Sequence, residues 1–243
     1  MTGSPRARSF DLAADRYAAN RPSYPPALLD AVEELAGHRL GGALVADVGA
    51  GTGIATALLH ARGARVVAVE PGAGMAAELR RRLPGVGLVR GDGDRLPLAS
   101  GAFDFVTYAQ AWHWTDPRRS VPEALRVLRP GGAFALWRNE PDVSVPWIAA
   151  EQDRLRGFLA ALSHPRAGRL PEGPGFTERR LTWSRRVPVE VHLANLGTQS
   201  AFLMLGPERA DAFLGTERER LARLFPDGVV EERYVVNLVL ALR

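Results

Sequence analysis

The residues best suited to chemistry lie in one short segment, residues 45–53, which reads Val-Ala-Asp-Val-Gly-Ala-Gly-Thr-Gly. An apolar run carries one carboxylate, Asp47, and three glycines follow it at alternate positions: Gly49, Gly51 and Gly53. Glycine has no Cβ, so such a turn lets the backbone come close to a ligand. A helical pattern follows, and a helix N-terminus offers free N–H donors. The segment therefore predicts a nucleotide-type cofactor site at the head of an α/β domain.

The elements around this turn alternate between strand and helix patterns. Apolar strand patterns occur at 43–48, 65–70, 86–90, 103–109 and 132–138, with helical patterns at 53–61, 73–83 and 118–128. Alternation at these lengths predicts right-handed βαβ units, and hence an α/β fold with a doubly wound, mostly parallel sheet. Ligands of such sheets bind at the carboxyl ends of the strands, so polar residues that follow each strand are the candidates for function.

The alternation stops after residue 140. A helix is predicted at 145–162, a Pro- and Gly-rich segment at 163–176, and strands at 179–187 and 229–242 around a helix at 207–224. Helices are also expected at 11–19 and 26–37. We therefore predict a helical lid segment at 1–40, a Rossmann-like cofactor-binding core at 41–140, a lid or substrate insertion at 141–178, and C-terminal elements at 179–243 that complete a seven-stranded sheet.

Composition excludes several kinds of chemistry. The chain has no cysteine and no lysine, so all 31 basic residues are arginine. These absences exclude disulfides, thiolate nucleophiles, Schiff-base chemistry and the phosphate-binding lysine of a P-loop. The five histidines show no metal-ligand spacing, so no metal site is expected.

Charge and hydropathy limit the classes of partner that the chain is expected to have. The formal net charge is +4, but arginines and acidic residues interleave without a long block of one sign, which argues against nucleic acid. No stretch of the sequence is apolar enough to span a membrane, and residues 1–10 lack the apolar region of a secretory signal. We expect a cytoplasmic monomer or homodimer that acts on a small-molecule substrate.

The spacing of the glycines narrows the type of cofactor. A dinucleotide fingerprint would read Gly-x-Gly-x-x-Gly, whereas this turn reads Gly-x-Gly-x-Gly after Asp47. The turn resembles motif I of the class I S-adenosylmethionine-dependent methyltransferases. The resemblance implies that the turn, including Ala50, passes under the methionine part of the cofactor and that the acidic residue helps to hold its amino group. The alternative is a turn that only reverses the chain.

The end of the second strand carries Glu70 and Pro71. A carboxylate about 20 positions beyond a glycine turn can accept hydrogen bonds from both ribose hydroxyls. The next segment resembles the one that this family places against the adenine, which implies that Met75 packs there. The alternatives are a solvated glutamate and a core methionine.

The third predicted strand ends in Gly-Asp-Gly-Asp-Arg-Leu-Pro, residues 91–97, which resembles the family's Gly-Asp-Ala-Glu-x-Leu-Pro segment. The resemblance implies that Asp92 accepts from the adenine amine and that the backbone N–H of Gly93 donates to a ring nitrogen. The alternative is a local turn in which the aspartates bond only neighbouring N–H groups.

The fourth strand leads into Ala-Gln-Ala-Trp-His-Trp, residues 109–114, which resembles the post-strand motif of small-molecule methyltransferases. The resemblance implies that Ala109 and Gln110 line the cofactor. Trp112 and Trp114 are expected to wall the acceptor cavity, and Trp147 is a further candidate for substrate binding.

Two histidines are candidates for proton transfer. His113 lies where the resemblance would present the methyl group, and histidine titrates near neutral pH. His192, expected in a loop, is the second candidate.

The N-terminal segment supplies one more pair. Tyr-x-x-x-Arg-Pro-x-Tyr-Pro, residues 17–25, resembles a segment of the trans-aconitate-methyltransferase-like branch. The resemblance implies that Tyr17 and Arg21 reach the methionine carboxylate, which suits the forked donors of a guanidinium.

Taken over residues 10–140, the resemblance predicts methyl transfer from S-adenosylmethionine to an O, N or C nucleophile of a small molecule. Three alternatives stay open. The chain could bind the cofactor as a regulator, could use it for cyclisation or elimination, or could be a nicotinamide-dependent oxidoreductase.

Overall fold

The structure is a computed structural model that describes residues 20–160, 175–199, 202 and 205–243. The predicted helix at 11–19, Tyr17 and all but the end of the Pro- and Gly-rich segment lie outside the described residues.

Seven strands and seven α-helices are described. The strands are β1 Leu44–Val48, β2 Arg65–Val69, β3 Gly87–Val89, β4 Phe103–Ala109, β5 Leu128–Pro141, β6 Phe176–Pro188 and β7 Val229–Leu242. The helices are α1 Pro26–Ala36, α2 Ile54–Ala61, α3 Ala73–Arg82, α4 Pro117–Val127, α5 Pro146–Leu159, α6 Val189–Gly197 and α7 Pro207–Leu224. A short 3-10 turn covers Trp112–Trp114.

The strands form one sheet in the order β3-β2-β1-β4-β5-β7-β6. The pairs β1–β2, β1–β4, β2–β3 and β4–β5 are parallel. The predicted α/β fold with a doubly wound, mostly parallel, seven-stranded sheet is confirmed. The strand order reverses between β1 and β4, and a sheet of this kind binds its ligand beside such a reversal.

Strand β7 runs against β5. Gly131 N–H donates to the carbonyl of Arg243 (3.0 Å), whereas Asp142 N–H, eleven positions later, donates to the carbonyl of Arg233 (2.9 Å). Residue numbers rise along β5 while those of their partners on β7 fall, so the two strands are antiparallel. The final strand thus lies between β5 and β6, and β6 forms the edge of the sheet.

The chain forms two compact units. Of the described residues, the strand-core unit comprises 23–139, 175–181 and 236–243, and the helical unit comprises 20–22, 140–160, 182–199, 202 and 205–235. The four-part division predicted from the sequence stays a prediction.

The strand-core unit is built on apolar strands that are buried on both faces, as parallel strands require. Its core includes Tyr108, Trp112 and Phe134, whose rings meet edge to face at 5.3–5.8 Å. These aromatic contacts pack the 3-10 turn after β4 against β5 and fix the edge of the sheet next to the glycine turn.

The helical unit combines an apolar cluster with a buried ionic one. His192 Nδ1 lies 2.7 Å from Glu232 Oε1, and its Nε2 lies 2.8 Å from Glu151 Oε1. Burial disfavours the imidazolium, but the hydrogen bonds to Glu151 and Glu232 outweigh it and raise the pKa of His192 to about 9. Burial also disfavours the carboxylate of Glu232, but its bonds to His192 and Arg185 lower its pKa to about 2. The histidine is therefore a cation held between carboxylates.

Helix α6 is absent from the sequence prediction, which placed His192 in a loop. The loop assignment is wrong, since His192 lies in the middle of the nine-residue helix Val189–Gly197. The helix begins with β-branched valines and is too short to show a clear helical period, so its pattern is ambiguous. The observed β5 and β6 also extend beyond the predicted ranges at both ends.

Removing the cation at His192 should change the pH dependence of stability. The folded pKa of about 9 lies above the ordinary value of 6.5, so this contribution is full below pH 6.5 and is lost as the pH rises through 9. His192→Gln should lower the free energy of unfolding at pH 6.5 by about 3 kcal/mol, because it removes the cation between two buried carboxylates and leaves only Glu232 with another, Arg185.

Urea unfolding at several pH values measures both effects. The wild type should lose stability between pH 6.5 and 9, and His192→Gln should be nearly flat there. His60→Gln, at an exposed position of α2, is the control. Equal slopes for wild type and His192→Gln would contradict the assignment of the charge to His192.

Candidate functional site

The glycine turn joins β1 to α2, and each glycine has a positive φ: +68° at Gly49, +58° at Gly51 and +87° at Gly53. A Cβ at Gly49 would lie 2.4 Å from the Cβ of Ala111, whereas a Cβ at Gly51 would meet nothing within 4 Å. At Gly53 it would approach the side chain of Leu79 to 3.0 Å. The outer glycines thus permit packing, while the backbone at Gly51 is open to a ligand.

The carboxylate of Asp47 lies fully buried beneath this turn. Thr56 Oγ1 donates to Oδ2 (2.6 Å) and Thr107 Oγ1 donates to Oδ1 (3.0 Å). Burial raises the pKa of Asp47 to about 6, and the two hydroxyl bonds hold it lower than burial alone would. The contacts tie β1, α2 and β4 together at the level of the turn.

Glu70 follows β2 and links the glycine turn to α3. Its Oε2 accepts from Gly51 N–H (2.8 Å) and its Oε1 accepts from Gly72 N–H (2.7 Å). The side chain is 7% exposed. Next to it, Pro71 is exposed and Met75 is buried. The carboxylate is therefore held against the turn by backbone donors.

The segment after β3 forms a tight acidic turn. Asp92 Oδ1 accepts from the N–H groups of Asp94 (3.0 Å) and Arg95 (3.1 Å), so the local turn considered as an alternative is present. Gly93 is buried, and its carbonyl accepts from the hydroxyl of Tyr108 (3.2 Å). This geometry leaves Asp92 exposed at the edge of the sheet.

Gln110 directly follows β4 and has a φ of +58°. Among the described residues it is the one that has a positive φ without being glycine. Its N–H donates to the carbonyl of Trp137 (3.0 Å), and its Nε2 donates to the carbonyl of Asn139 (2.8 Å). A left-handed conformation costs a non-glycine residue about 1–2 kcal/mol, and such strain concentrates at functional sites. These two hydrogen bonds to β5 hold Gln110 in this conformation, just after the partly buried Ala109.

The expected tryptophans lie in different environments. Trp112 is 1% exposed and belongs to the core, whereas Trp114 is 43% exposed and its ring centre lies 4.6 Å from that of His113. Trp147 lies in the helical unit, where it packs edge to face on His192 and Phe225. Of the two that lie in the strand-core unit, Trp114 is the one with an exposed ring.

Several predicted residues belong to the helical unit or lie outside the described residues. Arg21 is partly buried in the helical unit, and Tyr17 is not among the described residues. His192 has both ring nitrogens hydrogen-bonded to carboxylates, so it has no nitrogen available to accept a proton. Ala50 lies in the turn, with its N–H donating to the carbonyl of Val69 (3.2 Å).

Sequence reasoning missed the residues that support the turn. Thr56 and Thr107 hold Asp47, and Ala111 packs against Gly49. Thr52, inside the turn, is 1% exposed, and its hydroxyl has no hydrogen-bond partner among the described residues. Thr56 is a polar residue within the apolar first turn of α2, and this was the one feature of the sequence that could have identified it as a supporting residue.

The described residues contain no group of three or more His, Asp or Glu side chains arranged to hold a metal ion. None of the described helices is both long and apolar enough to cross a membrane.

Alanine at Gly49 and at Gly51 should separate packing from ligand access. Gly49→Ala should lower the free energy of unfolding the more, because it adds a clash with Ala111 to an unfavourable φ. Gly51→Ala should cost about 1–2 kcal/mol, from φ alone. Gly215→Ala, within α7 and without neighbours inside 4 Å, is the control and should be neutral or stabilising.

Thermal unfolding of the three variants tests this order. A loss at Gly51 equal to that at Gly49 would mean that both positions are packed.

The chain was compared with known proteins. Residues 46–136 match a family described as a methyltransferase domain. An uncharacterized methyltransferase of Mycobacterium tuberculosis is 44% identical over 140 residues, 58% of this chain and 56% of that protein. A demethylmenaquinone methyltransferase of Beutenbergia cavernae is 35% identical over 159 residues, 65% of this chain and 64% of that protein. The match thus spans little more than half of the mycobacterial relative.

A solved structure from Anaeromyxobacter dehalogenans, named as a type II methyltransferase, shares 29% identity at a TM-score of 0.69. The alignment covers 91% of this chain and 97% of that one. The family match, the strand order and the glycine turn agree. The chain therefore carries a methyltransferase domain at residues 46–136, built on the Rossmann-like fold of the class I S-adenosylmethionine-dependent methyltransferases.

Proposed function

We propose that the chain binds S-adenosylmethionine at the carboxyl edge of β1–β4 and transfers its methyl group to a small molecule. The observation that carries the proposal is the open backbone at Gly51, held in place by the carboxylate of Glu70. A side chain at Gly51 would fill the space into which this backbone opens. The buried hydroxyl of Thr52, without a partner among the described residues, also fits a turn that receives a polar ligand.

The residues present fit the parts of this cofactor. The glycine turn would lie under the methionine part, and Asp47 would favour its amino group by charge. A carboxylate accepts about four hydrogen bonds, so the two backbone bonds at Glu70 are compatible with receiving a ribose diol. Further residues for the adenine and the edge of the site are Pro71, Met75, Asp92, Gly93, Ala109 and Gln110.

The reaction is an in-line displacement. When bound, the cofactor would supply an activated methyl group on a sulfonium sulfur, which departs as a neutral thioether as the acceptor takes the methyl group and gives up its proton. The protein aligns the partners and excludes water. His113 is the candidate to take the proton, and Trp114 the candidate to contact the acceptor.

The relative from Beutenbergia cavernae is named for demethylmenaquinone, and that name is consistent with a small-molecule acceptor here. Mass spectrometry of a panel of small phenols, amines and carboxylic acids would detect a gained methyl group together with S-adenosylhomocysteine. His113→Ala should slow transfer without weakening cofactor binding.

Cofactor binding should depend on Glu70. Wild-type protein should bind S-adenosylhomocysteine in a calorimetric titration, and Glu70→Ala should weaken binding more than tenfold by losing charge-assisted hydrogen bonds worth about 1.5–3 kcal/mol each. Glu34→Ala, which removes an exposed carboxylate paired with Arg179, should bind normally. A folded wild-type protein that binds neither S-adenosylmethionine nor its product would exclude the proposed function.

Cofactor affinity should also follow the ionisation of Asp47. The pKa of about 6 lies above the ordinary 3.8, so the carboxylate is charged above pH 6 and protonated below it. Affinity for S-adenosylhomocysteine should therefore fall as the pH is lowered from 7.5 to 5, because a neutral Asp47 no longer attracts the ligand's ammonium group. The same titration with Asp47→Asn should be flat, and an unchanged slope in that variant would assign the effect elsewhere.

A further inference from the structure

Trp137 carries a buried polar group that the proposed site does not use. The side chain is 1% exposed, and its indole N–H has no hydrogen-bond partner among the described residues. A buried donor without a partner is costly, and buried indole N–H groups ordinarily find one. The missing partner therefore needs an explanation.

The register of the sheet locates Trp137 beside the glycine turn. Trp137 on β5 pairs with Ala109 on β4, and Thr107 on β4 pairs with Asp47 on β1. Gly49 stands two residues beyond Asp47, as Ala109 stands two beyond Thr107. Trp137 is thus level with Gly49, two strand spacings or roughly 10 Å away across the sheet.

The alternation of β5 gives the face. Phe134 and Leu136 belong to the core cluster that contains Trp112. Successive side chains of a strand point to opposite faces, so Trp137 lies on the other face. Thr107 donates to Asp47 on that same face, to which α2 also packs through Thr56.

Neighbouring contacts hold the ring in one place. The ring of Tyr24 meets that of Trp137 edge to face at 6.0 Å. The carbonyl of Trp137 accepts from the N–H of Gln110, the residue with the left-handed bend. One hydrogen bond at the end of β4 therefore joins the strained residue Gln110 to the residue that carries the unpartnered donor.

We propose that the indole N–H of Trp137 is a ligand-binding donor at the carboxyl edge of the sheet, and that its partner is a carboxylate or carbonyl oxygen of a bound small molecule. The proposal rests on the proposed function for the identity of that molecule. Two sources supply such an oxygen: the carboxylate of the cofactor's amino acid, and an oxygen of the methyl acceptor. In the second case the site selects acceptors that carry a carboxylate or carbonyl.

Indole nitrogen NMR tests the proposal on the intact protein. The chain has five tryptophans, so labelling gives five indole N–H signals. Trp137→Phe identifies one by its loss, and Phe variants of the other four identify it by elimination if Trp137→Phe does not fold. A new hydrogen bond moves the Trp137 signal downfield.

Three titrations separate the sources. A downfield shift with S-adenosylhomocysteine but not with methylthioadenosine, which lacks the carboxylate, supports the cofactor as the partner. A shift that appears only when benzoate, and not benzyl alcohol, is added to the cofactor complex supports an acceptor oxygen. No shift in any titration, or an equal shift with methylthioadenosine, overturns the proposal.

Calorimetry provides the matched control. If the cofactor is the partner, Trp137→Phe should weaken S-adenosylhomocysteine about tenfold and leave methylthioadenosine unchanged. Trp183→Phe, in the helical unit where Trp183 stacks on Tyr234, should change neither. Failure of the proposed function would appear as no cofactor binding at all, whereas failure of this proposal would appear as normal binding without the indole shift.

Discussion

The arrangement of the site depends on one buried carboxylate, that of Asp47. Two threonine hydroxyls from α2 and β4 hold it, so a single side chain joins three elements directly beneath the glycine turn. The charge is balanced by hydroxyl dipoles, and a negative group near the start of a helix is also favoured by the helix dipole. Because hydroxyl bonds offset burial only in part, the pKa stays raised, near 6. The carboxylate is therefore sensitive to any further positive charge brought to the turn.

The acidic side chains that follow β2 and β3 are both hydrogen-bonded by backbone N–H groups. Gly51 and Gly72 hold Glu70, and Asp94 and Arg95 hold Asp92. Backbone donors belong to the turns themselves, so these carboxylates lose little freedom when a ligand binds. The same N–H groups fix the turns relative to one another. A ligand that spans them meets groups already placed for it.

Patterns of neighbouring residues in the sequence predicted the features that depend on neighbouring residues, namely the secondary structure and the glycine turn. The strand and helix alternation gave the parallel part of the sheet, and the glycine spacing gave a turn whose residues have positive φ. Contacts across the chain were beyond such patterns: Thr107 lies 60 positions from Asp47, and the clash that forbids a side chain at Gly49 comes from Ala111. Nor could the sequence say that Trp112 turns into the core while Trp114 faces outward, since both are apolar and two positions apart.

Buried carboxylates of this protein are held in two ways, by a cationic side chain or by uncharged hydroxyl and N–H donors. In the helical unit, Glu217 is paired with Arg154 and Arg220 at 2.6 Å, and His192 lies between two carboxylates. Paired charges of this kind fix local structure, because each partner already satisfies the other. In the strand-core unit, Asp47 is held by two hydroxyls and Glu70 by two backbone N–H groups, whereas Glu78 is paired with Arg81. A carboxylate held by neutral donors alone gains more from a nearby cation than one that is already paired with a guanidinium.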